Sequence, residues 1–372
     1  MLYHDCKKLF ILERVTAMKM TPRENLLSLL RRRGYEWIPP EFSLCPALIE
    51  QFYERHGKDT PYETFYQFPW EAVPDALINR PPHEFHRFFP PFENTTHIDV
   101  WGIGHQEGEG CMHMTKMLYP MEKFDSPEQF EAYPYPVLSP ELLEQQKKAV
   151  EAVHQRGNAV VAQMQMTIWE AAWYTRSMEE LMADMMTESP LADYHFDRIT
   201  DIAVQRAEAY ARNGADILFV GDDIGMQHTI MMSIELYCQW IKPRLTKVIR
   251  AAKAVNPDIV VFYHSCGYVT PFIPHLIEAG IDVLNPVQPE CMSFEEIYQE
   301  YKGALSFHGT IGTQSTMPFG TVEEVRREVF KNLDIAGPQG GLFVAPTHIL
   351  EPEVPFENIE AYVTACKEYS GI

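Results

Sequence analysis

The sequence predicts an α/β protein, a (β/α)8 barrel (TIM barrel) with an N-terminal extension and an inserted hairpin. From residue 139 onward, helical stretches of amphipathic period alternate with short apolar runs that end in polar residues. Six such repeats occur, and their strands are apolar enough to be buried on both faces, which indicates a parallel sheet. The length of 372 residues suits such a barrel with insertions around one core. One or two strands from the first third would close the barrel, and an open doubly wound sheet is the alternative.

The N-terminal third is less regular than the rest. Residues 1–20 mix charges with short apolar runs and are expected to form an arm that precedes one barrel domain of residues 21–372. The order Thr21-Pro22-Arg23-Glu24 gives an N-cap, a proline at the first helical position and a glutamate in the first turn. This pattern predicts a helix that runs to about Arg33.

Two strand-like segments, 97–102 and 111–118, surround a glycine-rich turn and predict a hairpin. The turn lacks the G-x-G-x-x-G spacing of a dinucleotide loop, and no strand-to-helix unit surrounds it, so no nucleotide site is expected there. Cys111 and His113 lie two residues apart on this hairpin among charged residues. We interpret them as a structural pair.

The remaining chain is read as six helices that each lead into a strand. Amphipathic periodicity marks the helices, and short apolar runs mark the strands. In chain order the expected pairs are 139–156 with 159–166, 177–213 with 216–220, 233–255 with 259–263, 270–279 with 281–284, 293–302 with 305–308, and 321–336 with 342–345.

Polar residues follow every one of these strands. In a barrel or an open parallel sheet, ligands gather at the carboxyl ends of the strands, so these residues are the candidates for chemistry. We expect catalytic roles for the acidic ones, which are Glu170, Asp222 and Asp223. We expect substrate-binding roles for Gln165, Trp169, Gln227, Asn285, Gln288, His308 and His348.

The third strand ends in a histidine and a cysteine two residues apart, His264 and Cys266. In an extended strand, residues i and i+2 point the same way, so the imidazole and the thiol leave one face together. Both are good ligands for Zn²⁺, and a catalytic zinc site needs three protein ligands and one open position. The pair therefore predicts part of a zinc site, although a buried cysteine beside a core histidine is the structural alternative.

The net charge and the cysteine content limit which partners and which cellular compartment are expected. A net charge of −21 disfavours nucleic acid and anionic membranes, which leaves a small substrate or a protein with a basic face. Seven cysteines, an odd number and widely spread, predict a reducing compartment without disulfides, most simply the cytoplasm. The apolar runs within residues 1–20 are too short for a signal sequence or a membrane span.

A series of motifs resembles the uroporphyrinogen decarboxylase superfamily from about Thr21 to the C-terminus. The motifs are Asp222-Asp223-Ile-Gly-Met-Gln227, Ser233-x-Glu235-x-Tyr237, Lys242-Pro243-Arg244, His264-Ser-Cys266-Gly267, Asp282-Val-Leu-Asn285-Pro286-Val-Gln288-Pro289, Gly309-Thr-Ile-Gly312-Thr-Gln314, Pro318-x-Gly320-Thr321 and Ala345-Pro346-Thr347-His348. The resemblance implies a TIM barrel. It also implies one of two activities, the decarboxylase itself or a zinc-dependent methyltransferase that exchanges methyl groups with a corrinoid protein.

The residues discriminate between the two branches. The decarboxylase has an arginine-bearing segment near its N-terminus that pairs with substrate carboxylates, and residues 41–61 do not match it. The methyltransferases are similar to this chain at the His-x-Cys motif. In the coenzyme M methyltransferases the third zinc ligand is a cysteine near the last strand, where this chain reads Pro346-Thr347-His348. The candidates for the third ligand are His348, Asp222, Asp223 and Glu170.

The resemblance thus implies a zinc-dependent methyltransferase that moves a methyl group between a small donor and a separate corrinoid protein. No corrinoid-binding Asp-x-His-x-x-Gly sequence occurs, so a partner must carry the corrinoid. The aromatic residues Trp169, Trp173 and Tyr174 and the missing cysteine favour a methyl ether as the donor, with a thiol as the alternative. A decarboxylase-type lyase and an inactive scaffold for a corrinoid protein stay open, and a homodimer is the favoured oligomer.

Overall fold

The structure, a computed structural model, describes residues 19–89, 97–107 and 114–371. Most of the expected N-terminal arm and both Cys111 and His113 lie outside the described residues. The strands are β1 (Trp70–Ala72), β2 (His97–Ile98), β3 (Gly104–Glu107), β4 (Met114–Leu118), β5 (Ala159–Gln165), β6 (Ile217–Gly221), β7 (Val260–His264), β8 (Val283–Asn285), β9 (Ser306–His308) and β10 (Leu342–Phe343). None of the described helices combines the length and the apolar composition needed to cross a membrane.

The α-helices occur before, between and after these strands. They are Pro22–Leu30, Pro46–His56, Tyr62–Phe65, Pro127–Glu131, Pro140–Gln155, Trp169–Arg176, Met178–Met186, Pro190–Asn213, Ile234–Trp240, Lys242–Val255, Ile273–Ala279, Phe294–Tyr301, Thr316–Phe319, Val322–Ala336 and Phe356–Tyr369. The predicted first helix is confirmed, and the side chains of Thr21 and Glu24 form the capping box that the sequence indicated.

The chain divides into two compact units. The first unit comprises residues 1–71, 153–159 and 286–372, and the second comprises residues 72–152 and 160–285. Strands β9 and β10 pair in parallel within the first unit. In the second unit β5, β6, β7 and β8 pair in parallel, while β2, β3 and β4 form a separate antiparallel sheet. Strand β6 is buried at every position, as expected for a strand covered on both faces.

The predicted alternation of helices with parallel strands is confirmed. Seven strands form one sheet in the order β1-β5-β6-β7-β8-β9-β10, so one strand of the first third, β1, joins the six predicted repeats. Among the described residues this sheet has no eighth strand. The sheet is therefore an α/β sheet of seven strands, and closure into an eight-stranded barrel is not shown.

Two of the predicted helices are each two helices. Glu188, with a φ of 51°, and Ser189, whose hydroxyl accepts the N–H of Leu191, separate Met178–Met186 from Pro190–Asn213. Pro190 lies in the first turn of the second of these helices, where its missing N–H costs no hydrogen bond. Within 233–255, Pro243 is the second residue of Lys242–Val255. Each proline lies in the first turn of its helix and could not lie in the interior of one continuous helix without breaking it.

The predicted hairpin is wrong in its connection. The segment expected as a turn contains β3, which pairs with both β2 and β4. The chain turns earlier, at Asp99, whose carboxylate accepts the backbone N–H groups of Trp101 at 2.8 Å and of Ile103 at 2.9 Å. Gly102 has a φ of 82°, and a Cβ at this position would lie 2.2 Å from the hydroxyl of Tyr133. The glycine belongs to this tight turn and not to a long loop.

Candidate metal centre

Parallel register brings the carboxyl ends of β5 to β8 to one level of the sheet. Gln165 pairs with Gly221, Gly221 with His264, and His264 with Asn285. Paired residues of a sheet present their side chains on one face, so these four positions form a row. A Cβ at Gly221 would lie 2.3 Å from the backbone oxygen of His264. The close approach of β6 to β7 at this level therefore requires glycine.

His264 is held with its Nε2 atom near Cys266. Its Nδ1 atom lies 2.6 Å from Oδ1 of Asn285, and because an amide oxygen only accepts, Nδ1 carries the proton and donates. Nε2 then presents its lone pair, 3.5 Å from Sγ of Cys266 and 3.7 Å from Oδ1 of Asp223. An imidazole fixed in one tautomer through its other nitrogen is typical of metal-binding histidines.

Asp223 joins these two residues in one group of candidate ligands. The ligand atoms of Asp223, His264 and Cys266 all lie within 4.8 Å of one another. Oδ1 of Asp223 also accepts the backbone N–H of Cys266 at 2.7 Å, which connects the segment after β6 to the segment after β7. Gly225 permits this contact, since a Cβ there would lie 2.6 Å from the backbone oxygen of Cys266.

The chemistry of this group fits Zn²⁺. A thiol, an imidazole nitrogen and a carboxylate oxygen are the three types of protein ligand found in zinc sites, and three of them leave one position for a substrate. Burial, followed by the nearby carboxylates of Asp223 and Glu170, raises the pKa of the Cys266 thiol well above its usual value. A bound cation reverses this effect, because a coordinating thiol loses its proton to the metal.

Asp222, although adjacent to Asp223, serves a different part of the structure. It is 0% exposed, and its carboxylate accepts the backbone N–H groups of Ile168 and Glu170 at 2.9–3.1 Å. These donors lie at the start of helix Trp169–Arg176, so Asp222 caps that helix from a neighbouring strand end. Burial raises its pKa to about 7, and the backbone donors act against this rise. Asp222 does not belong to the ligand group, and its catalytic role stays a prediction.

Glu170 lies in the first turn of the same helix and is 8% exposed. The hydroxyl of Tyr174 donates to its Oε1 at 2.9 Å. Burial, then the carboxylates of Asp223 and Asp222, raises the pKa of Glu170 to about 8, while Tyr174 and His264 lower it. Glu170 is also outside the ligand group. A buried carboxyl that titrates near neutral pH suits a proton-holding role, and this role stays a prediction.

The other predicted site residues of the second unit differ in exposure and in the contacts they make. Gln165 is exposed at the end of β5, and Gln227 is exposed in the segment after β6. Trp169 is 0% exposed, so its ring belongs to the core of this unit and not to an open surface. The side-chain oxygen of Asn285 accepts a hydrogen bond from Nδ1 of His264, and the predicted substrate-binding role of Asn285 stays a prediction.

Three predicted substrate-binding residues belong to the first unit. His308 is buried at the end of β9, its Nε2 atom lies 3.1 Å from Oε2 of Glu41, and its ring packs against Trp70. Gln288 is buried and His348 is exposed. The Glu41 contact gives His308 a structural partner, and the substrate-binding roles of all three stay predictions.

Two supporting residues were missed by the sequence reasoning. The hydroxyl of Tyr263 donates to the backbone oxygen of Asp222 at 3.1 Å, and the hydroxyl of Ser265 accepts the backbone N–H of Ile224 at 3.0 Å. Both alternate with His264 and Cys266 along the chain, so they point away from the ligand face. That alternation is a signal that could have identified them as supports for the segment after β6.

A parallel sheet that gathers a histidine, a cysteine and an aspartate at its strand ends defines an α/β protein with a candidate catalytic metal centre. The chain belongs to the uroporphyrinogen decarboxylase (URO-D) family, whose sequence model matches residues 113–369. The resemblance read from the motifs is thereby confirmed.

Two relatives of this chain are methyltransferases by name. The chain is 28% identical over 207 residues to the methylated-thiol–coenzyme M methyltransferase of Methanosarcina mazei, a match that covers 53% of this chain and 50% of that protein. It is 25% identical over 194 residues to the methylcobamide:CoM methyltransferase MtaA of Methanosarcina barkeri, covering 52% of this chain and 53% of that protein. The chain thus spans about half the length of the curated relatives it matches.

A solved structure supports the fold over nearly the whole chain. A methyltransferase from Methanosarcina mazei superposes with a TM-score of 0.68 at 18% sequence identity, and the match covers 94% of this chain and 99% of that one. At this identity the likeness concerns the fold alone.

Proposed function

We propose that this protein is a zinc-dependent methyltransferase that moves a methyl group between a small methyl donor and a separate corrinoid protein. The observation that carries the proposal is the group formed by Asp223, His264 and Cys266, whose ligand atoms lie within 4.8 Å of one another. Membership of the URO-D family and the names of the relatives agree with this activity.

The residues that would hold zinc are His264 through Nε2, Cys266 through Sγ and Asp223 through a carboxylate oxygen. Asn285 fixes the imidazole by accepting from Nδ1, as carboxylates and carbonyl groups do behind metal-binding histidines. When bound, zinc supplies a Lewis acid that polarises the oxygen or sulfur atom of the substrate.

The other residues would position the substrate and hold a proton. Asp222 keeps the start of helix Trp169–Arg176 against the end of β6 and thereby fixes Glu170. Glu170, whose pKa is raised to about 8, holds a proton near neutral pH beside the candidate ligands. That proton would be available to an alkoxide, phenolate or thiolate that leaves without its methyl group.

We propose a methyl ether as the methyl donor. The candidate third ligand is the carboxylate of Asp223, and a carboxylate makes zinc a harder Lewis acid that is better matched to oxygen. A thiol is the second candidate, because the relatives' names concern methylated thiols and coenzyme M.

The corrinoid would be carried by a partner protein that covers the strand ends during transfer. This chain has a net charge of −21, so a relatively basic face on the partner would steer a transient contact of this kind. We expect initial rates with limiting corrinoid protein to fall as salt rises from about 20 to 500 mM, a range over which the Debye length shrinks several-fold. A flat salt profile would contradict the electrostatic docking.

Three further properties complete the proposal. We propose that residues 21–372 form one (β/α)8 barrel domain, which the near-complete superposition with a solved methyltransferase supports. A cytoplasmic location is supported by the free state of all five cysteines that the structure describes. A homodimer is proposed on the family resemblance alone.

The test combines metal analysis with methyl transfer. Purified protein is expected to hold about one zinc per chain and to move methyl groups between methyl ethers or thiols and a corrinoid, followed by the visible spectrum of the corrinoid. Full transfer by protein freed of zinc would contradict the proposal, and so would full activity with no corrinoid present.

A lyase of the decarboxylase type is the second candidate, because the family takes its name from that activity. It predicts release of carbon dioxide from uroporphyrinogen or another polycarboxylate without zinc. Binding several carboxylates requires arginine or lysine, and residues 41–61 do not match the arginine-bearing segment of the decarboxylase. Turnover of a polycarboxylate by zinc-free protein would establish this alternative.

A further inference from the structure

Three half-buried aromatic side chains lie together in the second unit. They are Tyr119, which directly follows β4, and Trp173 and Tyr174 of helix Trp169–Arg176. The rings of Trp173 and Tyr174 meet edge to face with their centroids 4.1 Å apart, and the Tyr119 ring lies 6.5 Å from the Trp173 ring. Aromatic pairs favour contacts of this kind. We call these three side chains the aromatic wall.

The aromatic wall is connected to the candidate metal centre through Glu170. Tyr174 lies one helical turn beyond Glu170, and its hydroxyl donates to Oε1 of Glu170 at 2.9 Å. The backbone N–H of Glu170 in turn donates to Oδ1 of Asp222 at 2.9 Å, and Asp222 is the neighbour of the candidate ligand Asp223. One turn of helix rises only about 5.4 Å, so the wall is within reach of a small molecule held at the ligand group.

Trp173 also has a hydrogen-bond donor that no described residue uses. Its Nε1 atom is buried and has no acceptor within the part of the chain that the structure describes. A shielded, unpaired N–H costs free energy, and most such groups in folded proteins have a partner. Trp169 and Trp240 also lack a described partner for Nε1, but they are 0% and 3% exposed and belong to the core. Trp173 is half-buried, so an oxygen atom of a bound molecule could supply its acceptor.

An aromatic wall beside the candidate ligands suits a methyl donor whose leaving group is an aromatic alcohol. Ligand pockets are lined mostly by apolar and aromatic side chains, with a few polar groups that fix orientation. The pKa of a phenol is about 10, roughly six units below that of water, so a phenolate leaves more readily than an alkoxide. In the transfer the bond between the methyl carbon and the oxygen breaks, and its electron pair stays on the oxygen as a phenolate. The new bond to the methyl carbon is made with an electron pair of the reduced corrinoid.

We propose that the methyl donor is an aromatic methyl ether whose ring lies against the aromatic wall, and that Trp173 determines this specificity. The ring of Trp173 contacts the ring of the donor, and its indole N–H donates to a second oxygen atom attached to that ring. The inference rests on the proposed function and names the class of methyl ether. A non-aromatic ether of similar size loses the contact between rings, and an ether without the second oxygen leaves the N–H unpaired.

Two pairs of compounds separate these contributions. Methoxybenzene and methoxycyclohexane share one methyl ether and a six-membered carbon ring, and only the first is aromatic. The three dimethoxybenzene isomers differ from the corresponding ethylmethoxybenzenes in one oxygen atom that replaces a methylene group. Calorimetric binding to zinc-loaded protein requires no methyl transfer. We expect methoxybenzene to bind about three- to tenfold more tightly than methoxycyclohexane, and at least one dimethoxybenzene to bind about two- to tenfold more tightly than its ethyl counterpart.

The outcomes distinguish the inference from the proposed function. Equal binding of methoxybenzene and methoxycyclohexane overturns the aromatic preference, and equal binding of every dimethoxybenzene and its ethyl counterpart overturns the role of the indole N–H. Methyl transfer from thiols by a protein that binds none of the ethers overturns the inference and leaves the methyltransferase activity standing. Binding in the expected order, without methyl transfer from any donor to a corrinoid, overturns the proposed function and leaves the binding role of Trp173 standing.

Variants assign the preferences to Trp173. Trp173→Phe keeps a ring and removes the N–H, so it is expected to abolish the advantage of the dimethoxybenzenes and to retain the preference for methoxybenzene. Trp173→Leu is expected to reduce that preference several-fold. Trp240→Phe is the matched control, because it removes an unpaired indole N–H from a ring that packs against Phe196 in the core, and both ratios should stay unchanged. Zinc content and thermal unfolding show whether each variant is folded and loaded. Equal effects of Trp173→Phe and Trp240→Phe in folded, loaded proteins would overturn the local role of Trp173.

Discussion

Removal of the Asn285 side chain tests whether the imidazole of His264 is pre-oriented for a metal. In Asn285→Ala, the Nδ1 atom of His264 loses the acceptor that lies 2.6 Å away. The ring is then free to rotate and to change tautomer, so Nε2 no longer presents its lone pair beside Cys266 and Asp223. Loss of a partner behind a metal ligand typically costs about 10–100-fold in metal affinity, or about 1.4–2.7 kcal/mol. Asn285→Asp keeps an acceptor at the same place and is expected to retain zinc affinity within a few-fold.

Zinc affinity would be measured by competition with a chromophoric chelator at constant pH. Asn358→Ala is the control, because this asparagine is also buried and donates to the backbone oxygens of Met317 and Gly320, within the first unit. It is expected to lower the free energy of unfolding and to leave zinc affinity unchanged. An Asn285→Ala protein that is folded and binds zinc as tightly as the wild type would refute the orientation argument.

Three further predictions concern the ligands, the two adjacent aspartates and a buried histidine. His264→Ala and Cys266→Ser are each expected to abolish stoichiometric zinc binding, measured by mass-spectrometric metal analysis. Both variants should fold, with a circular dichroism spectrum close to that of the wild type. Retention of one zinc per chain in either variant would exclude the substituted residue as a ligand. Asp223→Asn is expected to weaken zinc binding. Asp222→Asn removes an acceptor from the backbone N–H groups at the start of helix Trp169–Arg176 and is expected to lower the free energy of unfolding by about 1–3 kcal/mol in denaturant titrations. The reverse outcome would make Asp222 the zinc ligand and Asp223 the helix cap. Burial lowers the pKa of His195 from 6.5 to about 4, so the unfolded chain binds a proton more readily than the folded protein does. The contribution of the neutral, buried His195 to the free energy of unfolding is therefore complete above pH 6.5 and is lost as the pH falls from 6.5 toward 4. The wild type should lose about 2.5 kcal/mol more than His195→Gln between pH 7 and pH 4.5, and parallel profiles for the two proteins would contradict this.

The regular part of the fold could be predicted because its signals are local. Each of the six strands from β5 to β10 is a short apolar run between amphipathic helices, and the structure confirms the alternation. The spacing of His264 and Cys266 was also enough to predict that their side chains lie close together, since residues i and i+2 at a strand end leave the same face. Their Nε2 and Sγ atoms are 3.5 Å apart.

The tight turns could not be predicted, because they depend on single contacts. The turn after β2 is made by the Asp99 carboxylate and by a glycine that fits under the hydroxyl of Tyr133. Tyr133 lies more than thirty residues further along the chain, so the local sequence pattern around Gly102 does not predict this contact. The third candidate ligand was left among four residues for the same reason.

The difference between Asp222 and Asp223 shows what the sequence lacked. The two carboxylates are adjacent and both follow the end of β6 at Gly221, so strand alternation fixes the direction of neither. Their directions are set by donors from other segments: backbone N–H groups at the start of helix Trp169–Arg176 hold Asp222, and the N–H of Cys266 holds Asp223. The helix start and the candidate ligand group are thereby connected through one peptide bond. A change at either aspartate must disturb both Glu170 and the ligand group to some degree, so comparing zinc affinity with unfolding free energy in the two variants separates the roles better than activity does.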